Sequence, residues 1–240
     1  YEPHIVEGFV VYAGVDYGAI LEEAEKEADI ILWDGGNNDL PFYYPDLLIT
    51  LADPHRPGHE TLFYPGEANV RTADVVVLNK VDTAAPEDVD KVEQSVKSIN
   101  PKARIIRAAS PLTLENPESV KGKRVLVVED GPTLTHGGMT YGAGVIAARQ
   151  HGAAELVDPR PYAMGSIRET LEKYPGLEPL IPAMGYGKEQ MTELEKTIEA
   201  TPCDVVIIGT PIDLRRVIKI DKDAVRVRYE IEEMTKPDLE

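Results

Sequence analysis

Hydrophobic and polar positions alternate along this chain in blocks of two kinds. Short apolar runs such as Val75–Leu78 are typical of strands buried on both faces of a parallel sheet. Longer segments such as Pro86–Ile99 place their apolar residues on one helical face. The alternation predicts an α/β fold in which strands of a parallel sheet are followed by helices. Predicted strands cover residues 9–12, 30–33, 46–52, 75–78, 103–108, 124–128, 154–157, 204–209 and 224–231, and predicted helices cover 17–27, 66–72, 86–99, 166–173, 188–200 and 212–218.

The periodic pattern stops between residues 111 and 122, where Pro, Asn, Gly and charged residues follow one another without a regular spacing. Such a stretch is typical of a linker. We therefore expect two α/β domains, one over residues 1–112 and a smaller one over residues 122–240.

Charge and composition exclude several classes of protein. The net charge is −17, with 42 acidic and 25 basic residues, which argues against nucleic-acid binding and against binding to an anionic membrane. The apolar runs are too short to cross a bilayer, and no secretory leader is visible. A single cysteine, Cys203, rules out a disulfide framework or a zinc site built from thiolates. A reducing cytoplasm is the expected location.

The tetrapeptide Asn79-Lys80-Val81-Asp82 follows directly after the apolar run Val75–Leu78. A carboxylate at this position can accept hydrogen bonds from two N–H groups of guanine, which adenine does not offer in the same arrangement. The lysine stem can cover the flat face of the base. The alternative without a binding function is an ordinary turn at the end of a strand, with the lysine in solvent. We assign Asn79, Lys80 and Asp82 to a nucleotide base.

A second candidate strand, 30–33, ends in Asp34, Gly35 and Gly36. Its form is that of a Walker B strand, in which the Asp would hold Mg²⁺ and the glycines would let the backbone approach the γ-phosphate. Ser110, after a later strand, would lie at the rim of the base pocket. Polar residues at the carboxyl ends of successive strands are what a nucleotide site in an open sheet requires. The alternative for each segment is an ordinary glycine turn.

No Gly-x-x-x-x-Gly-Lys-Ser/Thr sequence occurs in the 240 residues. A P-loop would be expected before the Mg²⁺ strand, so residues 1–112 read as an incomplete three-layer P-loop NTPase core. We expect the phosphate cradle to come from an upstream segment of a longer parent protein or from a partner subunit.

His55, Arg56 and His59 lie in a loop rich in proline and glycine. Pro57 and Gly58 prevent the helix that would align the two histidines on one metal ion. Contacts to a substrate phosphate, with a catalytic role, therefore suit them better. The alternative is a solvated surface turn.

The segment after the strand 124–128 carries a second group of candidate substrate contacts. It would open a helix with backbone N–H groups available for an anion, and its hydroxyl and imidazole groups add donors. The alternative is a packed glycine turn. The candidate residues are Asp130, Gly131, Thr133, Thr135, His136, Gly137 and Gly138.

Basic side chains recur in the second half of the chain. Arg160 lies between two prolines in a rigid loop that could direct its guanidinium into a cleft, or that could be part of the rim. A later cluster could contact a polyanion, but interleaved aspartates favour a salt-bridged surface. This cluster comprises Arg215, Arg216, Lys219, Lys222, Arg226 and Arg228.

Several long strings in this chain resemble the archaeal cyclic 2,3-diphosphoglycerate synthetase family, many members of which are labelled predicted GTPases. The strings are YEPHI at 1–5, ILWDGGNND at 31–39, DPHRPGH at 53–59, YPGE at 64–67, VEDGPTLTHGGM at 128–139 and DPRPYA at 158–163. The resemblance extends over essentially the whole chain. It implies that the chain is the carboxyl-terminal half of a larger protein whose P-loop lies upstream of Tyr1.

The resemblance implies a ligase that closes 2,3-diphosphoglycerate on itself through a phosphoanhydride, with Mg²⁺ and with ATP as the nucleotide. The base motif instead predicts GTP, so the nucleotide stays open between the two. Two alternatives differ in class: a regulatory or assembly GTPase with a protein client, and an inactive binding fragment of such a protein. The expected partner is a small anionic substrate, and self-association is left open.

Overall fold

A computed structural model describes residues 2–35, 39–236 and 238–239 of the chain. The helices are α1 (Glu2–Val6), α2 (Tyr17–Ala24), α3 (His59–Leu62), α4 (Tyr64–Thr72), α5 (Pro86–Ile99), α6 (Gly131–Gly137), α7 (Ala143–Gln150), α8 (Gly165–Lys173) and α9 (Lys188–Ala200). The strands are β1 (Ile49–Ala52), β2 (Val75–Leu78), β3 (Arg104–Ala109), β4 (Leu112–Leu114), β5 (Arg124–Asp130), β6 (Glu155–Leu156), β7 (Ile181–Ala183), β8 (Val205–Gly209), β9 (Asp223–Tyr229) and β10 (Glu232–Glu233). Short 3-10 helices cover Pro117–Ser119, Arg160–Tyr162 and Leu214–Arg216.

The chain forms two compact units. Unit 1 contains residues 1–111 and 231–240, and unit 2 contains residues 112–230. The return of the last segment to unit 1 differs from the predicted domain over residues 122–240. It has a local cause, because β10 pairs antiparallel with β3, with Glu232 opposite Ala109. The expected linker also carries structure, since β4 pairs with β9. Strand β4 has only three residues, which is too short for a regular alternation of apolar and polar positions to be recognised.

The sheet of unit 1 has the strand order β1-β2-β3-β10, with the first three strands parallel. All four residues of β2 are buried. Val76 and Leu78 form a core with Val92 and Val96 of helix α5. Helix α5 begins with a proline in its first turn and ends at Asn100, whose side-chain amide donates to the carbonyls of residues 70 and 73. These bonds fix α5 against the end of α4.

The strands predicted at 9–12 and 30–33 are wrong, because these residues form no strand in the described part of the chain. Their apolar side chains are exposed: Phe9 by 63%, Val10 by 66%, Ile30 by 80% and Leu32 by 86%. An apolar run indicates a tendency to be buried, but a strand also requires a hydrogen-bonding neighbour. Neither run has such a neighbour in this structure.

Unit 2 is built on a six-stranded sheet with the order β4-β9-β8-β5-β6, and β7 pairs with the same edge of β5 as β6. From β5 the chain first builds β6 and β7 on one side, and then β8 and β9 on the other. The carboxyl ends of β5 and β8 therefore flank the point where the strand order reverses. In open α/β sheets, ligands bind at such a point.

The predicted α/β class is confirmed: parallel pairings dominate both sheets, and helices connect the strands. Helix α9 and strand β2 have the predicted bounds. Within the described residues, no helix is long and apolar enough to span a membrane.

Candidate functional site

The carboxyl edge of the sheet in unit 1 brings together three loops that the sequence singled out. Asp53 follows β1, Asn79 follows β2 and Ser110 follows β3. Backbone bonds join these loops: the N–H of Asn79 donates to the Ala52 carbonyl at 3.0 Å, and that of Val81 donates to the Ala108 carbonyl at 3.1 Å. The loops are adjacent because their strands are parallel neighbours.

Lys80 is held at both ends of its side chain. Its backbone has φ +61°, a left-handed conformation that few residues other than glycine adopt. The backbone N–H of Lys80 donates to Oδ1 of the Asn79 side chain at 2.9 Å. Its ammonium Nζ lies 3.1 Å from Oδ2 of Asp53, at the end of the neighbouring strand. The lysine therefore spans from the end of β2 to the end of β1.

Asp82 is exposed, and the backbone N–H of Ser110 donates to its Oδ1 at 3.4 Å. The Asp82 carboxylate thus stays accessible while the rim residue Ser110 lies beside it. This placement is compatible with the base-binding assignments of Asn79, Lys80, Asp82 and Ser110, which stay predictions.

The proline-rich loop contacts the same edge. His55 Nε2 lies 2.9 Å from the hydroxyl of Thr83, next to the base motif. Arg56 is half-buried, and its N–H donates to the Asp53 carbonyl. His59 begins α3, where its ring packs edge-on against Phe63. Their predicted phosphate contacts stay predictions, but for His55 the structure shows a contact to Thr83.

Asp34 is exposed and does not follow a strand, contrary to the predicted Walker B geometry. Its neighbour Trp33 packs into an aromatic cluster with Tyr17, Phe42 and Tyr43. Gly35 follows in an irregular segment, and Gly36 lies outside the described residues. In the part of the chain that the structure describes, no group of three or more His, Cys, Asp or Glu side chains could hold a metal.

In unit 2, Asp130 caps the helix that the sequence predicted as an anion site. Its Oδ2 accepts the backbone N–H of Thr133 at 3.2 Å and the Thr133 hydroxyl at 2.7 Å. A Cβ on Gly131 would lie 2.8 Å from the Ala183 carbonyl oxygen, so a glycine is needed for close packing against β7. A carboxylate already occupies the helix end proposed for an anion.

Thr135 and Gly138 of this segment lie beside a cavity. The hydroxyl of Thr135 donates to the Gly131 carbonyl. Thr135 and Gly138 line an open cavity of about 290 Å³ together with Lys173 and Tyr174. Gly137 is the last residue of α6, and the side chain of His136 is outside the described part of the structure.

Most of the basic side chains are engaged within unit 2. Arg160 donates to Asp158 at 3.0 Å and to the Leu177 carbonyl at 2.6 Å, so its guanidinium ties a loop together. In the later cluster, Arg215 pairs with Asp213 and Glu115, consistent with the salt-bridged alternative. Other members of that cluster also have partners, among them Lys219, Lys222, Arg226 and Arg228.

The most deeply buried acid, Glu129, was not among the predicted site residues. It is the last but one residue of β5, at the point where the strand order reverses, and is only 3% exposed. Its carboxylate accepts backbone N–H bonds from Gly142, Gly144 and Val145, the last at 3.0 Å. Burial raises its pKa to about 7, although these bonds oppose the shift.

Three glycines make room for this carboxylate. A Cβ would lie 2.6 Å from Glu129 Oε2 at Gly142 and at Gly209, and 3.1 Å from Oε1 at Gly144. The signal available in the sequence was an acid at the end of an apolar strand followed by a Gly-x-Gly turn. A Gly-x-Gly turn without the lysine of a P-loop has no phosphate-binding signature, so the sequence pattern does not single out this acid.

Comparison with known proteins adds a nucleotide-binding relationship. Residues 37–107 match the model of the CobW/HypB/UreG nucleotide-binding domain. This segment contains the base motif and the proline-rich loop. It supports a P-loop-like α/β fold for unit 1.

Among curated proteins, the chain is 64% identical over 239 residues to "Arginine synthetase ArcE" of Thermococcus kodakarensis, a match that covers all of this chain and 53% of that protein. It is 29% identical over 126 residues to a cyclic 2,3-diphosphoglycerate synthetase of Thermococcus sibiricus, covering 52% of this chain and 28% of the relative. A cyclic 2,3-diphosphoglycerate synthetase of Thermococcus kodakarensis is 27% identical over 181 residues, covering 71% of this chain and 38% of the relative.

The expected resemblance to cyclic 2,3-diphosphoglycerate synthetases is therefore confirmed only as a distant relationship over part of the chain. The chain spans about half the length of the arginine synthetase and less of the other relatives. The match to the arginine synthetase covers the whole of this chain and about half of that protein.

Proposed function

We propose that this chain forms part of a nucleotide-dependent synthetase whose product is arginine. The observation that carries the proposal is the 64% identity to an arginine synthetase along the entire chain. The relatives named for cyclic 2,3-diphosphoglycerate match at less than half that identity and over shorter segments.

The edge of unit 1 supplies recognition of the nucleotide base. Asn79 holds the backbone of Lys80, the lysine stem crosses the edge, and Asp82 remains exposed to accept from a base. Phosphate contacts would come from the remainder of a protein as long as the relatives. The base motif favours GTP, and the choice between GTP and ATP is part of the test below.

The expected Mg²⁺ has no matching set of ligands in the described residues. Asp34 offers one exposed carboxylate, and among the described residues it belongs to no group of three or more His, Cys, Asp or Glu side chains that could hold a metal. We therefore assign no step of the reaction to a metal held by this chain.

The charge at the carboxyl end of β5 favours a cationic substrate or product over a bisphosphate. Asp130 ends this strand with a partly exposed carboxylate, and burial together with Asp130 raises the pKa of Tyr186. Glu129 adds no accessible charge there, because its carboxylate is buried and held by backbone N–H groups. A partly exposed carboxylate repels a polyanion but attracts a guanidinium, so arginine suits this strand end better than 2,3-diphosphoglycerate.

The test runs the synthetase backwards, because a ligase must also form its nucleoside triphosphate from product, nucleoside diphosphate and phosphate. A chimera would carry this chain in place of the matched segment of the Thermococcus kodakarensis arginine synthetase. It would be supplied with arginine and with one of two pairs: ADP or GDP with labelled phosphate, or AMP or GMP with labelled pyrophosphate. We expect labelled ATP or GTP to form only when arginine is present, and the unmodified relative is the positive control.

The same assay decides between the candidates. Label incorporation that depends on cyclic 2,3-diphosphoglycerate, and not on arginine, would replace this proposal with the other synthetase reaction. Nucleotide hydrolysis that neither compound affects would favour the GTPase alternative suggested by the CobW/HypB/UreG match. A folded chimera of Asp82→Asn serves as the matched control for base recognition.

A further inference from the structure

Asp53 contacts the lysine of the base motif from a neighbouring strand. Its Oδ2 lies 3.1 Å from Lys80 Nζ, and the carboxylate is the more buried partner, with 29% of its side chain exposed against 45% for the lysine. We propose that Asp53 is the positioning residue that holds Lys80 across the base site. The inference rests on the proposed role of Lys80 in nucleotide recognition.

Lys80 needs such a partner because its side chain has many rotamers and its backbone conformation is unusual. The Asn79 side chain holds its backbone N–H, which determines where the stem starts. Asp53 holds the ammonium, which determines where the stem ends. Between these points the four methylene groups pass over the carboxyl ends of two adjacent strands, where a flat base could lie against them.

Asp53 is itself fixed in place. Its Oδ1 accepts the backbone N–H of His55 at 3.0 Å, and its carbonyl accepts the N–H of Arg56 at 2.9 Å. The flanking residues Ala52 and Pro54 are buried. The carboxylate is therefore a fixed point to which the flexible lysine is anchored.

A second contact joins the same two loops. His55 Nε2 lies 2.9 Å from the Thr83 hydroxyl, which in turn donates to the Lys80 carbonyl at 3.2 Å. The loop over residues 53–58 therefore contacts the base motif in two ways. Asp53 pairs with the Lys80 side chain, and His55 contacts Thr83, whose hydroxyl donates to the Lys80 backbone. The contact with Thr83 gives His55 a supporting position beside the base motif, and its predicted phosphate contact stays a prediction.

The first measurement needs no ligand. In the 240-residue chain labelled with ¹³C at lysine, the ε-methylene signal of Lys80 would be assigned with Lys80→Met. We expect Asp53→Asn to shift this signal and to narrow it as the side chain becomes free. Glu67→Gln, which removes the charge of the half-buried partner of Arg71 on α4, is the matched control and leaves the Lys80 signal unchanged. An unchanged Lys80 signal in Asp53→Asn would overturn the proposal whatever nucleosides do.

The second measurement uses guanosine and adenosine, which report on base contacts without phosphates. Saturation-transfer NMR titrations would compare the parent chain with Asp53→Asn, Lys80→Met and the double variant. We expect each single variant to weaken guanosine binding by about two- to fivefold, as for a partly exposed ion pair. The double variant should be no weaker than Lys80→Met alone.

The two possible failures are distinguishable. If Asp82→Asn leaves guanosine binding unchanged, the assignment of the base site is wrong, and the proposed function loses its nucleotide-binding site in unit 1. If Asp82→Asn and Lys80→Met weaken binding while Asp53→Asn does not, the base site stands and the positioning role of Asp53 is overturned. Independent, additive losses in the double variant would also contradict it.

Discussion

The two candidate sites lie at the carboxyl ends of parallel strands but are stabilised in different ways. In unit 1, partly exposed side chains bridge neighbouring loops, as Lys80 and Asp53 do. In unit 2, the buried Glu129 is enclosed by backbone N–H groups and glycines. A bridge between exposed charges contributes little to stability, whereas an unsatisfied buried group is costly. We therefore expect unit 1 to tolerate substitutions at its site and unit 2 not to tolerate them.

The largest effect is expected for Glu129→Ala. The substitution leaves three backbone N–H groups without an acceptor and opens a cavity, so we expect a loss of about 4 kcal/mol in the free energy of unfolding. Urea unfolding, with hydrogen exchange of a peptide covering residues 124–130, measures it. Glu155→Ala, which removes an exposed acid on β6, should change stability by less than about 0.5 kcal/mol. Equal effects of the two variants would contradict the comparison.

The stability of unit 2 should also depend on pH through Glu129. Its pKa is raised from 4.5 to about 7 in the fold, so the folded state binds the proton more tightly than the unfolded state. The resulting stabilisation is complete below about pH 4.5 and is lost as the pH rises through 7, by about 3 kcal/mol in total.

Unfolding measured from pH 5 to pH 8 in the parent chain and in Glu129→Gln isolates this contribution. The glutamine does not titrate, so the difference between the two proteins should decline in this range. A constant difference would show that Glu129 stays ionised throughout, with its three N–H bonds outweighing its burial.

Gly209→Ala should come next in size. Its Cβ would lie 2.6 Å from Glu129 Oε2 and 3.2 Å from the Gly144 nitrogen, and this overpacking should cost about 2 kcal/mol. The matched control is Gly176→Ala, because nothing lies within 4 Å of the added carbon. The denaturation midpoints of both variants provide the test, and a tolerated alanine at 209 would show that the carboxylate can move.

The smallest stability effect is expected for Asp53→Asn in unit 1. Its ion pair with Lys80 is partly exposed, so the free energy of unfolding should fall by about 0.5 kcal/mol or less. Trp33, the only tryptophan, lies in unit 1 and gives a fluorescence signal for this measurement. A loss comparable to that of Glu129→Ala would remove the distinction between the two sites.

The predicted elements show which features could be read from the sequence. Helices α5 and α9 are recognisable because apolar residues recur on one face over 13 or 14 residues, and α5 also begins with a proline. Strand β2 is recognisable because it is apolar throughout and buried on both faces. The runs at 9–12 and 30–33 have similar composition, yet they form no strand because no neighbour pairs with them. Pairing is a property of the assembled sheet.

The residues of the candidate sites also fall into two groups: those that the sequence identifies and those that only the structure identifies. The sequence by itself determined that Asn79, Lys80, Asp82 and Ser110 follow strands of an α/β unit, because local patterns place strands and their ends. Only the tertiary structure decided that Asp53 reaches Lys80 and that Glu129 lies inside the Gly142–Gly144 turn. Both contacts join residues far apart in the chain, and burial and proximity between such residues arise only when the sheet is assembled.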